Sequence, residues 1–401
     1  MPIAVLDVQF ERLPTEIAGL HPYSAALVLI RLRGRPVGQA LLPVVGGKIC
    51  GGHKLRDALL TEANWSFWEH WIRDYLDHRE EITATLIPNA TVAVCTRDRP
   101  EDLRRCLDAL MCLPDDGQEL LVIDNCPSTQ ATRRLVEQYD RVRYVREDCP
   151  GLNIARNRAL REAEQDILAF TDDDATPDPG WLRALIKNFA DPLVLCVTGL
   201  TMPRELQTEA QQSFEHFIGF GAGFRRNVFD GVNHNPLEGW IAGAGVNMAL
   251  RRTILERVGP FDEALDAGTP TLSGGDNDIF SRILAAGYRI VYEPEALNWH
   301  RHRYSWTELR QQFYSYGVGG FAAWTRSLLV DGKLGVLKQT WAWPQSLLPT
   351  LTRTLLRRPG GMPVDLLLAH VLGCAVGPWA YLYSRWRADR RINPYGKRTH
   401  N

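Results

Sequence analysis

The spacing of hydrophobic positions changes character three times along this chain. Ala25 to Leu32 is a nearly unbroken apolar run, Arg33-Gly34-Arg35-Pro36 reads as a turn, and the apolar stretch from Gln39 to Val45 is placed to pair with the first run as a hairpin. Between 55 and 80, Leu59, Leu60, Trp68, Trp71 and Tyr75 form an apolar stripe at helical spacing. From residue 90 the pattern alternates. Runs at 90–96, 120–124, 142–145 and 167–170 read as strands. Leu103, Cys106, Leu107 and Leu110 mark the helix after the first, and 129–139 and 153–164 read as the next two. Strands separated by helices of this length predict a parallel sheet with right-handed crossovers, whose ligands bind at the carboxyl ends of the strands. Asp124 and Asp172 fall at two such ends. Beyond 306 the chain reads as helical.

These rhythms predict three parts: a small α+β module over 1–85, an α/β domain over 90–305 and a helical extension over 306–401. Hydrophobic content of 45% and charged content of 23% argue against disorder across the whole chain, and a net charge of −1 gives no global pull towards nucleic acid. The charge is uneven, however. From Arg301 to Asn401 there are 15 Lys and Arg against 4 Asp and Glu, and six of the 12 tryptophans lie in that segment. Leu366 to Tyr383 is mostly apolar and barely long enough to span a bilayer. Two readings stand: a segment lying on an anionic membrane surface, or a domain helix whose arginines face water. The eight cysteines have no CxxC pair and no zinc spacing, which points to a reducing compartment. The first residues lack the pattern of a secretory signal. The expected location is the cytoplasm, with the inner face of the plasma membrane as the candidate surface.

The densest chemistry follows the strand at 167–170, in Phe170-Thr171-Asp172-Asp173-Asp174. Adjacent carboxylates repel unless a cation or water compensates them, and hard divalent cations bridge a few carboxylates to substrate phosphates. The plainer alternative is an acidic turn capping the next helix. A second cluster, Ser273-Gly274-Gly275-Asp276-Asn277-Asp278, opens another predicted helix. It is either a cap or the seat of a general base, with Asp276 taking a proton from an acceptor hydroxyl. His300 and His302, two apart, point the same way on a strand, and either imidazole is able to join carboxylates around a manganese-like ion. No Walker A, GxGxxG or GxSxG pattern occurs, which argues against P-loop, classical dinucleotide and α/β-hydrolase chemistry.

Taken in order, these segments resemble the family-2 glycosyltransferases, an inverting group of GT-A fold, over roughly residues 91–303. Thr91 to Pro100 is similar to that family's opening strand and turn, and Gly151 to Leu160 to its Ala-Arg-Asn helix. Asp172-Asp173-Asp174 is similar to its DXD motif, with Pro177 and Trp181 following, and Gly243 to Arg252 to the segment lining the donor sugar. Val258 to Asp262 and Asp276-Asn277-Asp278 are similar to the approach to the base loop and the loop itself. The resemblance implies a mostly parallel α/β sheet flanked by helices. It implies Thr96, Arg97, Asp124, Arg156, Asp172, Asp173 and Gly243 around a nucleotide-sugar, Asp174 and His300 on Mn2+ or Mg2+, Asp276 as base, and Asn277 and Asp278 on the acceptor side. Two departures stand out. Gly275 replaces the family's usual Glu, and the Gln-x-x-Arg-Trp motif of processive synthases is absent. The expected activity is transfer of one sugar per encounter, with inversion, from a nucleotide-sugar to a glycan or lipid-linked acceptor in cell-surface polysaccharide or glycolipid synthesis. The rivals are a degenerate nucleotide-sugar-binding or scaffold protein and a sugar nucleotidyltransferase. The latter normally needs a glycine-rich loop after the first strand, where Thr96-Arg97-Asp98-Arg99-Pro100 has no glycine.

Overall fold

The computed structural model describes residues 1–50, 53–62, 65–76, 89–356, 358 and 360–392. At the N-terminus lie β1 (Ile3–Gln9), β2 (Glu16–Ile17), β3 (Ala25–Leu32), β4 (Arg35–Pro43) and β5 (Ile49–Cys50). The expected hairpin forms as β3 and β4, antiparallel, and β1 adds to the other edge of β3 in parallel. Two helices, α1 (His53–Glu62) and α2 (Trp65–Tyr75), replace the single stripe read over 55–80; positions 77–80 and the boundary at 85 lie outside the described residues. The near-continuous apolar run of β3 has a physical reason. Val28, Ile30 and Leu32 pack inside the module, while Leu27 and Leu29, on the opposite face, join the main core. Arg31 extends that seam, its guanidinium lying on Asp7 (2.8 Å) and on Asp178 of the main body.

The central part runs β6 (Ala90–Thr96), α3 (Pro100–Met111), β7 (Glu119–Asn125), α4 (Ala131–Val136), β8 (Val142–Glu147), α5 (Leu152–Glu162), β9 (Ile167–Asp172), β10 (Ala175–Pro177) and α6 (Trp181–Ile186). It continues through β11 (Val194–Pro203), α7 (Glu209–Phe217), β12 (Asn227–Phe229), β13 (Asn247–Arg251), α8 (Ile254–Arg257), α9 (Gly275–Ala285) and β14 (Arg289–His300). The strands form one sheet in the order β10-β14-β11-β13-β9-β6-β7-β8, with β12 also on β14. β9, β6, β7 and β8 are parallel, as expected. β13 is antiparallel to both β9 and β11, so the sheet is mixed. The two faces carry separate cores: Ala93, Leu121, Leu168 and Phe280 on one, Val92, Val94, Leu107 and Trp181 on the other.

Among the described residues the extension forms three helices, α10 (Trp306–Leu329), α11 (Gly335–Leu355) and α12 (Val364–Ile392). Ser305 and Glu308 form a capping box at the start of α10. α10 and α12 meet along a seam of small residues. A Cβ on Gly317 would collide with the His370 carbonyl, and one on Gly373 with the Tyr314 carbonyl. Gly319 of α10 likewise sits hard against Ser273, just before α9, so the extension is docked beside the helix start that carries Asp276.

Candidate active site

Strand register builds the acidic end of the site. β10 pairs antiparallel with the end of β14, Ala175 opposite His300, and this sets Asp174 Oδ1 3.3 Å from His300 Nε2. Arg99 Nη1 lies 3.2 Å from both Asp173 Oδ1 and Asp174 Oδ2, and Arg303 Nη1 lies 3.6 Å from Asp174 Oδ2. The Thr96 hydroxyl donates to Asp173 Oδ2 at 2.7 Å. Burial, reinforced by the charge of Asp174, pushes Asp172 up to about 6 and Asp173 up to about 7. Burial acts upward on Asp174 as well, but His300, Arg303 and Arg99 together hold it well below the usual carboxylate range. Asp174 is thus the member of the triplet held firmly ionised. Behind it, His300 Nδ1 lies 3.0 Å from His302 Nδ1, and His302 Nε2 lies 3.0 Å from Glu215 Oε2. The two histidines have different tasks: His300 faces Asp174, while His302 links it to a carboxylate on α7.

Opposite this cluster, the buried Arg156 donates to Asp266 Oδ2 at 2.7 Å and packs over the Phe261 ring at 5.6 Å. Asp276, in the first turn of α9, accepts from the Gly245 amide at 2.9 Å and from the Asn277 amide at 2.8 Å. Burial and the Asp276 charge push the Tyr316 phenol above its ordinary range, while Gln312 Nε2 donates to its oxygen at 2.8 Å. A single cavity of about 1040 Å³ joins these groups. Thr96, Arg97, Arg156, Asp172, Asp173, Asp174, Asp276, Asn277 and His300 all line it. Its other end is walled by Trp240, Phe321, Trp324 and Trp343.

Three residues from the sequence analysis lie off this cavity. Asp124 is fully buried at the end of β7 and accepts from the Tyr144 hydroxyl at 2.8 Å. Asp278, on the buried face of α9, lies with Arg282 at 2.9 Å and Arg326 at 3.2 Å. Gly243 has φ +131° with Thr198 where a Cβ would stand, so glycine is required there by backbone and packing. Sequence reasoning missed Asp266, which lines the cavity. Its signal is a backbone one, a non-glycine residue at φ +83°, invisible as a motif. Asp266 also bears on the departure at Gly275, since a Cβ there would collide with its carboxylate and with the Asn153 side chain. The aromatic wall was missed too: Trp324 and Trp343 are two of the six tryptophans of the basic segment, and both line the cavity.

The sheet is mixed, its central carboxyl ends gather acidic residues, and a second carboxylate stands across the cavity at a helix start. Residues 91–259 match the family Glycosyl transferase family 2 and form a family-2 glycosyltransferase domain. The glycosyltransferase AglE of Haloferax volcanii is 28% identical over 254 residues, covering 61% of this chain and 76% of that protein. The pre-mycofactocin glycosyltransferase of Mycobacterium tuberculosis is 27% identical over 287 residues, covering 67% of this chain and 53%, about half, of that protein. Among solved structures, the mannosyltransferase PcManGT of Pyrobaculum calidifontis, in complex with GDP-Man and Mn2+, aligns with a TM-score of 0.47 and 20% identity over 82% of this chain and 95% of that one. The chain is an enzyme that transfers a sugar from a nucleotide-sugar.

Proposed function

We propose that the enzyme moves one sugar from a nucleoside-diphosphate sugar to an acceptor hydroxyl by a single inverting displacement. The observation that carries this reading is the shared cavity, with Asp174 and His300 at one end and Asp276 facing it. Arg156, Thr96 and Arg97 line the donor half between them. Asp276, its carboxylate oriented by the Gly245 and Asn277 amides, takes the proton of the acceptor hydroxyl as that oxygen attacks the anomeric carbon. The nucleoside diphosphate leaves on the opposite side, towards Arg99 and Arg303.

The donor set fits a hard divalent cation, Mn2+ or Mg2+. Among the described residues no group of three His, Cys, Asp or Glu side chains is arranged to hold a metal ion by itself. One ionised carboxylate and one imidazole do converge, at Asp174 and His300. Such ions are commonly held by one or two protein groups, with substrate phosphates supplying further oxygens. When bound, the ion supplies charge stabilisation of the leaving diphosphate.

The reading extends to location: a cytoplasmic enzyme touching the inner face of the plasma membrane, acting in cell-surface glycan or glycolipid assembly. α12 is long and apolar enough to cross a membrane by length and composition. It is nevertheless docked on α10, and its outer face presents Trp379, 73% exposed, beside Tyr383 and Trp386. Arg390 lies over the Trp386 ring at 4.0 Å and Arg387 over Tyr383 at 5.9 Å, so aromatic and cationic groups share one surface. That pairing suits an interface better than a bilayer core. The transferase reading is tested by incubating the protein and Mn2+ with a panel of nucleotide-sugars. Hydrolysis of one of them, suppressed by chelator, is expected; stability of every sugar in the panel contradicts it.

A further inference from the structure

We infer that Arg326, on α10, is a positioning residue for Asp276: it anchors the first turn of α9 to the C-terminal extension and makes that extension a working part of the catalytic domain. This rests on the transferase reading with Asp276 as base and adds what holds the base in place. α9 starts without a side-chain cap, since Gly274 stands at its N-cap position with φ +100°. Its first turn is placed by what packs on it. On one side lies the turn over 236–242, where a Cβ on Gly239 would meet the Asn277 carbonyl. On the other lies α10. The Ser273 hydroxyl donates to the Ser315 carbonyl at 2.7 Å, and a Cβ on Gly274 would collide with the Gly319 carbonyl. Further along α10, the Trp324 indole donates to the Leu237 carbonyl at 3.0 Å, so α10 grips both the helix start and the turn that flanks it.

Arg326 closes this arrangement. It is buried, with Nε 3.2 Å from Asp278 Oδ1 and 3.2 Å from Asp262 Oδ2, while Nη1 donates to Asp331 Oδ2 at 2.6 Å. Asp278 stands two residues after Asp276 in the same turn, and its other oxygen lies on Arg282 at 2.9 Å. Asp262 also accepts from the Tyr381 hydroxyl of α12 at 3.0 Å. One guanidinium thus ties the turn that carries the base to α10 and, through Asp262, to α12. A buried cation is favourable only while its carboxylates keep their geometry, so the network fixes the turn as well as charging it. The groups proposed to hold the diphosphate, Asp174, Arg99 and Arg303, are gathered across the cavity. Loss of Arg326 is therefore expected to act on the proton transfer and to spare the donor.

The test uses the full chain with Mn2+ and UDP-glucose, UDP-galactose, UDP-N-acetylglucosamine and GDP-mannose, water standing in for the acceptor. Rates are read on the sugar that the unaltered protein hydrolyses fastest, and the dissociation constant of its nucleoside diphosphate is measured by calorimetry. Arg326→Met is expected to slow hydrolysis about 30-fold with that constant within about twofold, and Arg326→Lys to recover most of the rate. Arg31→Met removes an equally buried arginine held by two carboxylates at the seam with the N-terminal module. It controls for lost stability and is expected to keep the rate. Should Arg326→Met not fold, Gly319→Ala, which presses α10 off Ser273, carries the same expectation. An unchanged rate, a nucleotide affinity that falls as far as the rate, or an equal slowing in Arg31→Met overturns the inference. Hydrogen exchange at the amides of 276–279 separates this failure from that of the transferase reading. Exchange there is expected to quicken in Arg326→Met, or in Gly319→Ala in its place, and unchanged exchange overturns the anchor. If exchange quickens but the unaltered protein hydrolyses none of the sugars, the anchor stands and the transferase reading falls.

Discussion

At the donor end of the cavity the carboxylates already have their cations. Asp174 lies among His300, Arg99 and Arg303, and Asp266 lies on Arg156. At the acceptor end the charged residue is Asp276, held by two backbone amides, and indole and phenyl rings line the cavity beyond it. On the proposed function the contrast follows from what each end binds. A diphosphate brings charge, and a buried site receives charge at little reorganisation cost only if its own charges are fixed beforehand. On the proposed function the other end receives a hydroxyl rather than a diphosphate, and there a single carboxylate oriented by amides suffices. The two ends also come from different parts of the chain. The donor end is made by the carboxyl ends of β6 and β9 and by the pairing of β10 with β14, the acceptor end largely by α10, α11 and the turn before β13.

The largest expected effect breaks the donor end. Asp174→Ala removes the carboxylate that faces His300, and should lower turnover by about 10³-fold or more while weakening nucleoside-diphosphate binding; excess chelator should act likewise on the unaltered enzyme. Steady-state rates and calorimetry read both, and full activity in chelator would remove the cation from the account. Next comes Asp278, which sits with Arg282 and Arg326 on the buried face of α9, off the cavity. Asp278→Ala should cost about 3 kcal/mol of stability in urea unfolding, as breaking a buried ion pair does. Loss of acceptor binding at unchanged stability would instead move Asp278 into the acceptor site. His302→Phe keeps the packing against Phe214 but removes the nitrogen that meets His300 Nδ1. Mn2+ affinity, measured by paramagnetic resonance, should fall by about 10- to 100-fold, the usual scale for a group that orients a metal-binding histidine. An unchanged affinity would leave Glu215 and His302 as packing alone. The smallest effect is at the outer face of α12. Replacing the exposed Trp379 by Ser should reduce flotation with anionic vesicles at low salt by a few-fold. Failure of the unaltered protein to float at all would end the membrane proposal and favour a soluble acceptor.

How far the sequence disclosed this depended on whether a residue acts through type and spacing or through backbone. The strands β6 to β9 were legible because each is a β-branched or apolar run bounded by helical periodicity, and β6 begins and ends where the pattern put it. The antiparallel β13 was not, since five residues whose pairing is fixed only by distant neighbours carry no period of their own. In the site, Asp172, Asp174, Asp276 and His300 were legible as acidic and imidazole groups at strand ends and a helix start, and the structure brings all four to one cavity. Asp266 was not, because its position depends on a left-handed backbone conformation and on the empty Cβ position of Gly275. Trp324 and Trp343 were visible as tail tryptophans, but only the docking of α10 and α11 beside α9 turns them inward. Arg31 illustrates the same limit: nothing local in β3 announces that its guanidinium ties the N-terminal module to Asp178.

The division of labour between the two ends is tested most directly at Asp276. Asp276→Asn keeps the size and the hydrogen-bond acceptor for Gly245 but removes the base. With a donor identified by the hydrolysis panel, transfer rate and donor dissociation constant are measured on the same preparation. Turnover should fall by about 10²- to 10⁴-fold with donor affinity unchanged. A parallel collapse of donor affinity would contradict the account, because it would place Asp276 among the groups that hold the nucleotide-sugar.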